Sequence, residues 1–209
     1  MGRRHMQQQQ THAVLMSCAA NGSDPATLAL AGVLAQALDQ HGYHLLPLPG
    51  LDANATRRLL AHWFPGADTW LGLDWRALQG ADRPEPRHDE IDDLIGLLST
   101  HAAPTVAPER AAELARAMAC ASLSDHHLWQ DLYLPSRQEL TELIAHWFPE
   151  MARRNSNNMK WKKFFYRQLC EREEIMICKS PSCNLCTDHR LCFGTEEAAL
   201  TLHYPIQAV

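Results

Sequence analysis

Lysine is missing from all of this chain before position 160; its four copies, Lys160, Lys162, Lys163 and Lys179, lie in the last quarter. With a net charge of −5 and a pI of about 6.2, the sequence argues against a protein whose main task is gripping nucleic-acid phosphates. Long apolar runs are missing too: nothing approaches the roughly 18 to 20 residues that a membrane-spanning helix needs. Glycine is sparse, at 10 residues, and forms no dinucleotide-binding fingerprint. No convincing catalytic pair stands out, so the sequence reads as a binding protein and not an enzyme. What remains is a globular composition, 46% hydrophobic and 21% charged. Its 209 residues suffice for one ordinary domain with a core, or two small ones.

Charge is spread unevenly. Met1 to Glu150 carries 10 Lys/Arg against 18 Asp/Glu, whereas Met151 to Val209 carries 9 against 6. This reversal of sign suggests a two-part organisation. Cysteine is uneven as well. Of seven, Cys178, Cys183, Cys186 and Cys192 crowd into one short stretch, Cys170 lies just upstream, and Cys18 and Cys120 stand alone. An extracellular disulfide framework would spread its cysteines through a smaller chain behind a signal peptide. Arg3-Arg4 ahead of Ala13 to Cys18 mimics an export signal, but its apolar core of about six residues is too short. The expectation is a cytoplasmic chain with a flexible polar tail over 1–23.

Helical spacing dominates the rest. Asp24-Pro25 predicts an N-cap and first turn, Leu28, Ala31, Leu34, Ala35 and Leu38 recur on one face, and Gly42 stops the helix. A second helix runs from near Ala53 to Trp63 and ends at Pro65-Gly66. After a linker over Gly80 to Pro86, Ile91, Leu94, Ile95 and Leu98 mark a third, and Pro108 opens a fourth over Glu109 to Ser122. Ser136 and Glu139 form a capping box ahead of Leu140, Leu143, Ile144 and Trp147, and Pro149 interrupts that pattern. A last helix spans about Met159 to Arg172. No alternating apolar pattern of strand length appears. The fold class is therefore all-α: an irregular multi-helix bundle over 24–172 with a C-terminal cysteine-rich metal-binding loop over 173–209 packed on it.

Ala-His-Trp-Phe-Pro occurs twice, at Ala61 to Pro65 and at Ala145 to Pro149, each time after a Leu-rich helix. The flanks match only as generic helix. The expectation is two similar helix ends that pack aromatic residues, with His62 and His146 structural.

The chemistry lies in Cys178-x4-Cys183-x2-Cys186-x5-Cys192. Pro181, Ser182, Asn184 and Asp188 favour turns, so four thiolates on this loop can converge on one centre. Soft sulfur donors select zinc, copper(I) or iron–sulfur clusters over magnesium or calcium. Structural zinc sites usually pair two short arms across a long spacer, whereas the opening C-x4-C-x2-C is shared with plant-type ferredoxins. Spacing favours a cluster and leaves a zinc-stapled interaction module with a basic helix as the alternative. Upstream, Met151 to Cys170 holds six basic residues and no acid. The run reads either as a solvated face or as counter-charge for an anionic centre, an oxyanion or an acidic partner. Asp125-His126-His127 offers imidazole ligands, or simply a helix start capped by Asp125. His189 lies inside the cysteine loop.

The segment Asn155-x3-Met159-Lys160-Trp161-Lys162-Lys163-Phe164-Phe165-Tyr166-Arg167-Gln168-Leu169-Cys170, followed by the cysteine motif and Phe193-Gly194, resembles the NifQ family of nitrogen-fixation proteins. His127-Leu128-Trp129-Gln130-Asp131-Leu132 and Pro135-Ser136-Arg137-x-Glu139-Leu140 support the resemblance, which is strongest over about Cys120 to Glu197. It implies an iron–sulfur cluster that takes up molybdenum and passes it toward the iron–molybdenum cofactor of nitrogenase. The implied cluster ligands are Cys178, Cys183, Cys186 and Cys192; His127 sits at the family's His-Leu-Trp position, which implies no role for it, and is a candidate metal ligand by its imidazole alone. The implied partners are a molybdate or other molybdenum source, the NifEN scaffold and the NifH reductase, with no membrane or nucleic acid.

Overall fold

A computed structural model describes residues 2–81, 83–173 and 189–194, with the backbone alone for 2–9. Every regular element among them is helical. Three cysteines of the expected metal-binding loop, Cys178, Cys183 and Cys186, lie outside the described residues. The chain divides into two compact units, Met1–Arg154 and Asn155–Val209. That boundary falls earlier than the expected break after residue 172.

The first unit begins with α1, Gly2–Ser17, where a flexible tail was expected. The reason is burial: Thr11 and Leu15 sit four residues apart on one face of α1 and are almost wholly enclosed. The short apolar run that mimics an export signal contributes Leu15 to the buried face of α1, which packs on α2, Pro25–His41. Asp24 caps α2 by accepting the Ala26 N–H at 3.1 Å, and Gly42 ends it at φ 87°. The same hairpin architecture recurs where α6, His88–Thr100, packs on α7, Pro108–Ser122.

The two Ala-His-Trp-Phe-Pro copies close α3, Ala53–Trp63, and α9, Arg137–Trp147, with nearly identical geometry. Phe64 has φ −137°, ψ 63° and Phe148 φ −135°, ψ 60°, and each donates its N–H at 2.7 Å four residues back, to Leu60 or Ile144. The Trp63 carbonyl accepts the Ala20 N–H at 2.9 Å, and the Trp147 carbonyl accepts the Ala103 N–H at 2.8 Å. Ala20 and Ala103 each stand five residues before the proline that opens the next long helix. The flanks therefore correspond in three dimensions, although their side chains do not. Contacts between the halves are reciprocal: α2 meets α7, α2 meets α9, and α7 meets α3. Trp63 and Trp147 touch with ring centroids 5.8 Å apart. Like meeting like is the signature of an approximate two-fold axis.

Three four-residue helices escape any periodicity argument: α4 (Ala67–Trp70), α5 (Trp75–Leu78) and α8 (Leu128–Asp131). Asp74 caps α5, and Trp75 donates its indole N–H to Asp68 at 2.9 Å above a small core of Leu46, Ala53 and Leu78. Pro149 does not merely interrupt a helix; it starts α10, Pro149–Arg154. In the second unit, α11 runs from Trp161 to Arg172 and α12 from His189 to Phe193.

Candidate metal centre

Cys192, the one motif cysteine among the described residues, is half-buried in α12. Its carbonyl oxygen accepts the backbone N–H of Lys160, the N-cap of α11, at 2.8 Å. Local sequence fixes that donor. Asn155 folds its amide onto Met159, donating to the Met159 carbonyl and accepting the Met159 N–H, both at 2.9 Å. Asn158 takes the left-handed conformation at φ 55°, which asparagine tolerates well. This closed turn delays α11 to Trp161, two residues past the expected Met159. Trp161, Phe164 and Phe165 are buried together at the first turn of α11, with Trp161 edge-on to Phe164 at 5.7 Å. Cys192 thus lies beside the positive pole of a twelve-residue helix, a setting that favours negative charge. Gly194 ends α12 by donating to the Arg190 carbonyl at 2.9 Å. A Cβ at Gly194 would collide with that same oxygen, so glycine is required. Asn155 and Gly194 belong to the family-like stretch, but spacing does not reveal their supporting roles, which depend on contacts with Met159 and Arg190.

The histidines fall elsewhere. His127, not Asp125, is the N-cap of α8; its backbone N–H reaches the Gln130 side chain at 3.1 Å. The expected Asp125 cap is therefore replaced by a cap two residues later. His126 Nδ1 stands 3.3 Å from the buried Asp131 carboxylate, and His189 stacks on Phe193 within α12 at 4.5 Å. Among the described residues, no three His, Cys, Asp or Glu side chains converge as a metal site.

The basic run is not a uniform cationic face. Arg153 meets Glu150 through two contacts of 2.6 and 2.7 Å, and Arg154 meets it at 3.0 Å. These hydrogen bonds hold the Glu150 carboxyl down at about 2. Arg167 is held by Glu171 at 2.7 Å. Arg153, Arg154 and Arg167 therefore have carboxylate partners immediately outside the acid-free window. Lys160, Lys162 and Lys163 cluster at the start of α11, close in sequence to the anchor on Cys192.

The family profile described as NifQ matches residues 29–194. Protein NifQ of Rhodobacter capsulatus is 37% identical over 171 residues, covering 80% of this chain and 89% of that protein. Protein NifQ of Azotobacter vinelandii is 52% identical over 83 residues, covering 40% of this chain and 43% of that protein. The match therefore spans less than half of the Azotobacter relative. Protein NifQ of Klebsiella pneumoniae is 41% identical over 114 residues, 54% of this chain and 63% of that protein. No solved structure matches the chain. No described helix is long and apolar enough to cross a membrane.

Proposed function

The chain belongs to the NifQ family of nitrogen-fixation proteins, and on that premise we propose that it carries molybdenum toward the iron–molybdenum cofactor of nitrogenase. In this reading the cargo sits on an iron–sulfur centre held by Cys178, Cys183, Cys186 and Cys192, and the protein is a donor, not an enzyme. The donor set fits: four thiolates crowded along one short stretch are soft ligands that suit iron–sulfur and molybdenum–sulfur centres and suit magnesium or calcium badly. The observation that carries the reading is the Lys160–Cys192 hydrogen bond. It ties the last motif cysteine to the N-terminal end of α11, where three lysines and the helix dipole offset an anionic centre. Recipients of the cargo would be the NifEN scaffold and the NifH reductase. His127 is an additional candidate ligand.

Anaerobically purified protein should contain iron, sulfide and molybdenum, and Cys186→Ala should strip most of all three. Zinc as the sole metal, in protein that takes up neither iron nor molybdate, would overturn the proposal and favour the zinc-stapled module.

A further inference from the structure

Within the first unit, a cavity of about 80 Å³ opens between α2, the Pro47-Leu48 loop, the linker residue Arg83 and the C-terminal end of α7. Its polar lining among the described residues is Gln36, Gln40, Arg83, Cys120 and Ser124, none of them a carboxylate. The space is several times the roughly 10–15 Å³ that a cavity needs to admit one water molecule. Gln36 and Gln40 lie four residues apart and so share one face of α2. Arg83 is the unusual member. Its Nη1 is fully enclosed and meets no acceptor. A guanidinium cannot shed its charge by losing a proton, so a buried, unsatisfied nitrogen is an exception that calls for a cause.

Among the described residues, neighbouring groups do not supply that cause. Glu85 is close enough to be felt by Arg83, but it does not line the cavity, and its Oε1 accepts the Arg87 backbone N–H at 3.2 Å. Cys120 is no counter-ion either: burial pushes its thiol up to about 11 despite Arg83 and Arg116 nearby, so it stays neutral. Arg116 adds further positive charge while donating to the Pro49 carbonyl at 2.6 Å. The cavity therefore combines enclosed positive charge, neutral amide donors and an unfilled donor position.

We propose that this cavity binds a small tetrahedral oxyanion, anchored by the Arg83 guanidinium and flanked by the Gln36 and Gln40 amides. An oxyanion supplies the missing acceptor through a charge-assisted hydrogen bond, the strong kind. The site itself is inferred from residues of the first unit alone; the choice of molybdate among oxyanions rests on the function proposed above.

The test is isothermal titration of the full-length, metal-free protein with sodium molybdate, sulfate and phosphate in separate runs at low ionic strength. Wild type, Arg83→Met, Gln40→Leu and Cys186→Ala are compared. Single-site molybdate binding is expected, weakened roughly tenfold or more by Arg83→Met, weakened less by Gln40→Leu, and retained in Cys186→Ala. Gln40→Leu keeps the test decisive should Arg83→Met fail to fold. Equal binding of sulfate and phosphate upholds the oxyanion site and overturns only the choice of molybdate. No anion binding in wild type, or binding unchanged in both cavity variants, overturns the site. Binding lost only in Cys186→Ala would move the anion to the cysteines, overturning this site while leaving the proposed function standing.

Discussion

The Lys160 N–H and the Cys192 carbonyl, 2.8 Å apart, join two segments that lie far from each other along the chain. The turn that presents Cys192 depends on Gly194, where a Cβ would strike the Arg190 carbonyl oxygen. Gly194→Ala is expected to lower the iron retained per chain severalfold while leaving the thermal unfolding of the first unit unchanged. Iron analysis beside circular dichroism checks both, and full iron retention would show that this turn does not matter to the centre.

Trp63 and Trp147 occupy equivalent places in the two halves and touch each other. Each change to alanine is expected to cost about 3–5 kcal/mol, and the pair less than the sum by about 0.5–1.5 kcal/mol. Trp63→Ala should be the costlier. Trp63 also donates to Glu113 at 2.7 Å and lies beneath the Arg110 guanidinium at 5.1 Å. Urea unfolding of the two single variants and the double variant measures the coupling; strict additivity would contradict the contact.

Gly32 lies inside α2, where alanine is ordinarily better by about 0.5–1 kcal/mol. Here the Tyr133 ring covers it, at a left-handed residue with φ 58°, and any Cβ would overlap that ring. Gly32→Ala is expected to destabilise by about 1–2 kcal/mol, because overpacking outweighs helix propensity. In a Tyr133→Gly background, which removes the ring and the Tyr133 Cβ that would also be struck, the sign should reverse, which denaturant midpoints would show.

Glu150 makes acid stability specific. Its carboxyl is held at about 2 by hydrogen bonds from Arg153 and Arg154, against an ordinary 4.5. Because the folded value is lowered, this contribution is fully present above pH 4.5 and disappears as pH falls through about 2. Glu150→Gln should therefore flatten the acid limb of the stability curve and leave the profile above neutrality unchanged. Unfolding midpoints between pH 2 and 7 provide the measurement, with solvent exposure keeping the effect modest.

Much of the helical plan is legible because its causes are local. Asp24, Asp52 and Ser136 cap the helices that follow them by accepting N–H groups two or three residues ahead, and such short-range pairs are written in spacing. The Asp52 cap starts α3 at Ala53, and α7, which has no side-chain cap, is opened instead by Pro108 in its first turn. The cysteine register is equally local. The cavity and the pairing of the basic run are different, since Arg83 acquires meaning only from Gln36 and Cys120, distant in sequence.

What the residues alone determined, then, is where helices start and stop and which four sulfurs stand close along the chain. Tertiary structure decided that Thr11 and Leu15 make the N-terminal segment a packed helix, that the two Trp-containing helix ends face each other, and that the Arg83 Nη1 is enclosed without an acceptor. The physical reason is range. Capping and periodicity act within about four residues, whereas burial depends on whatever the rest of the fold brings alongside.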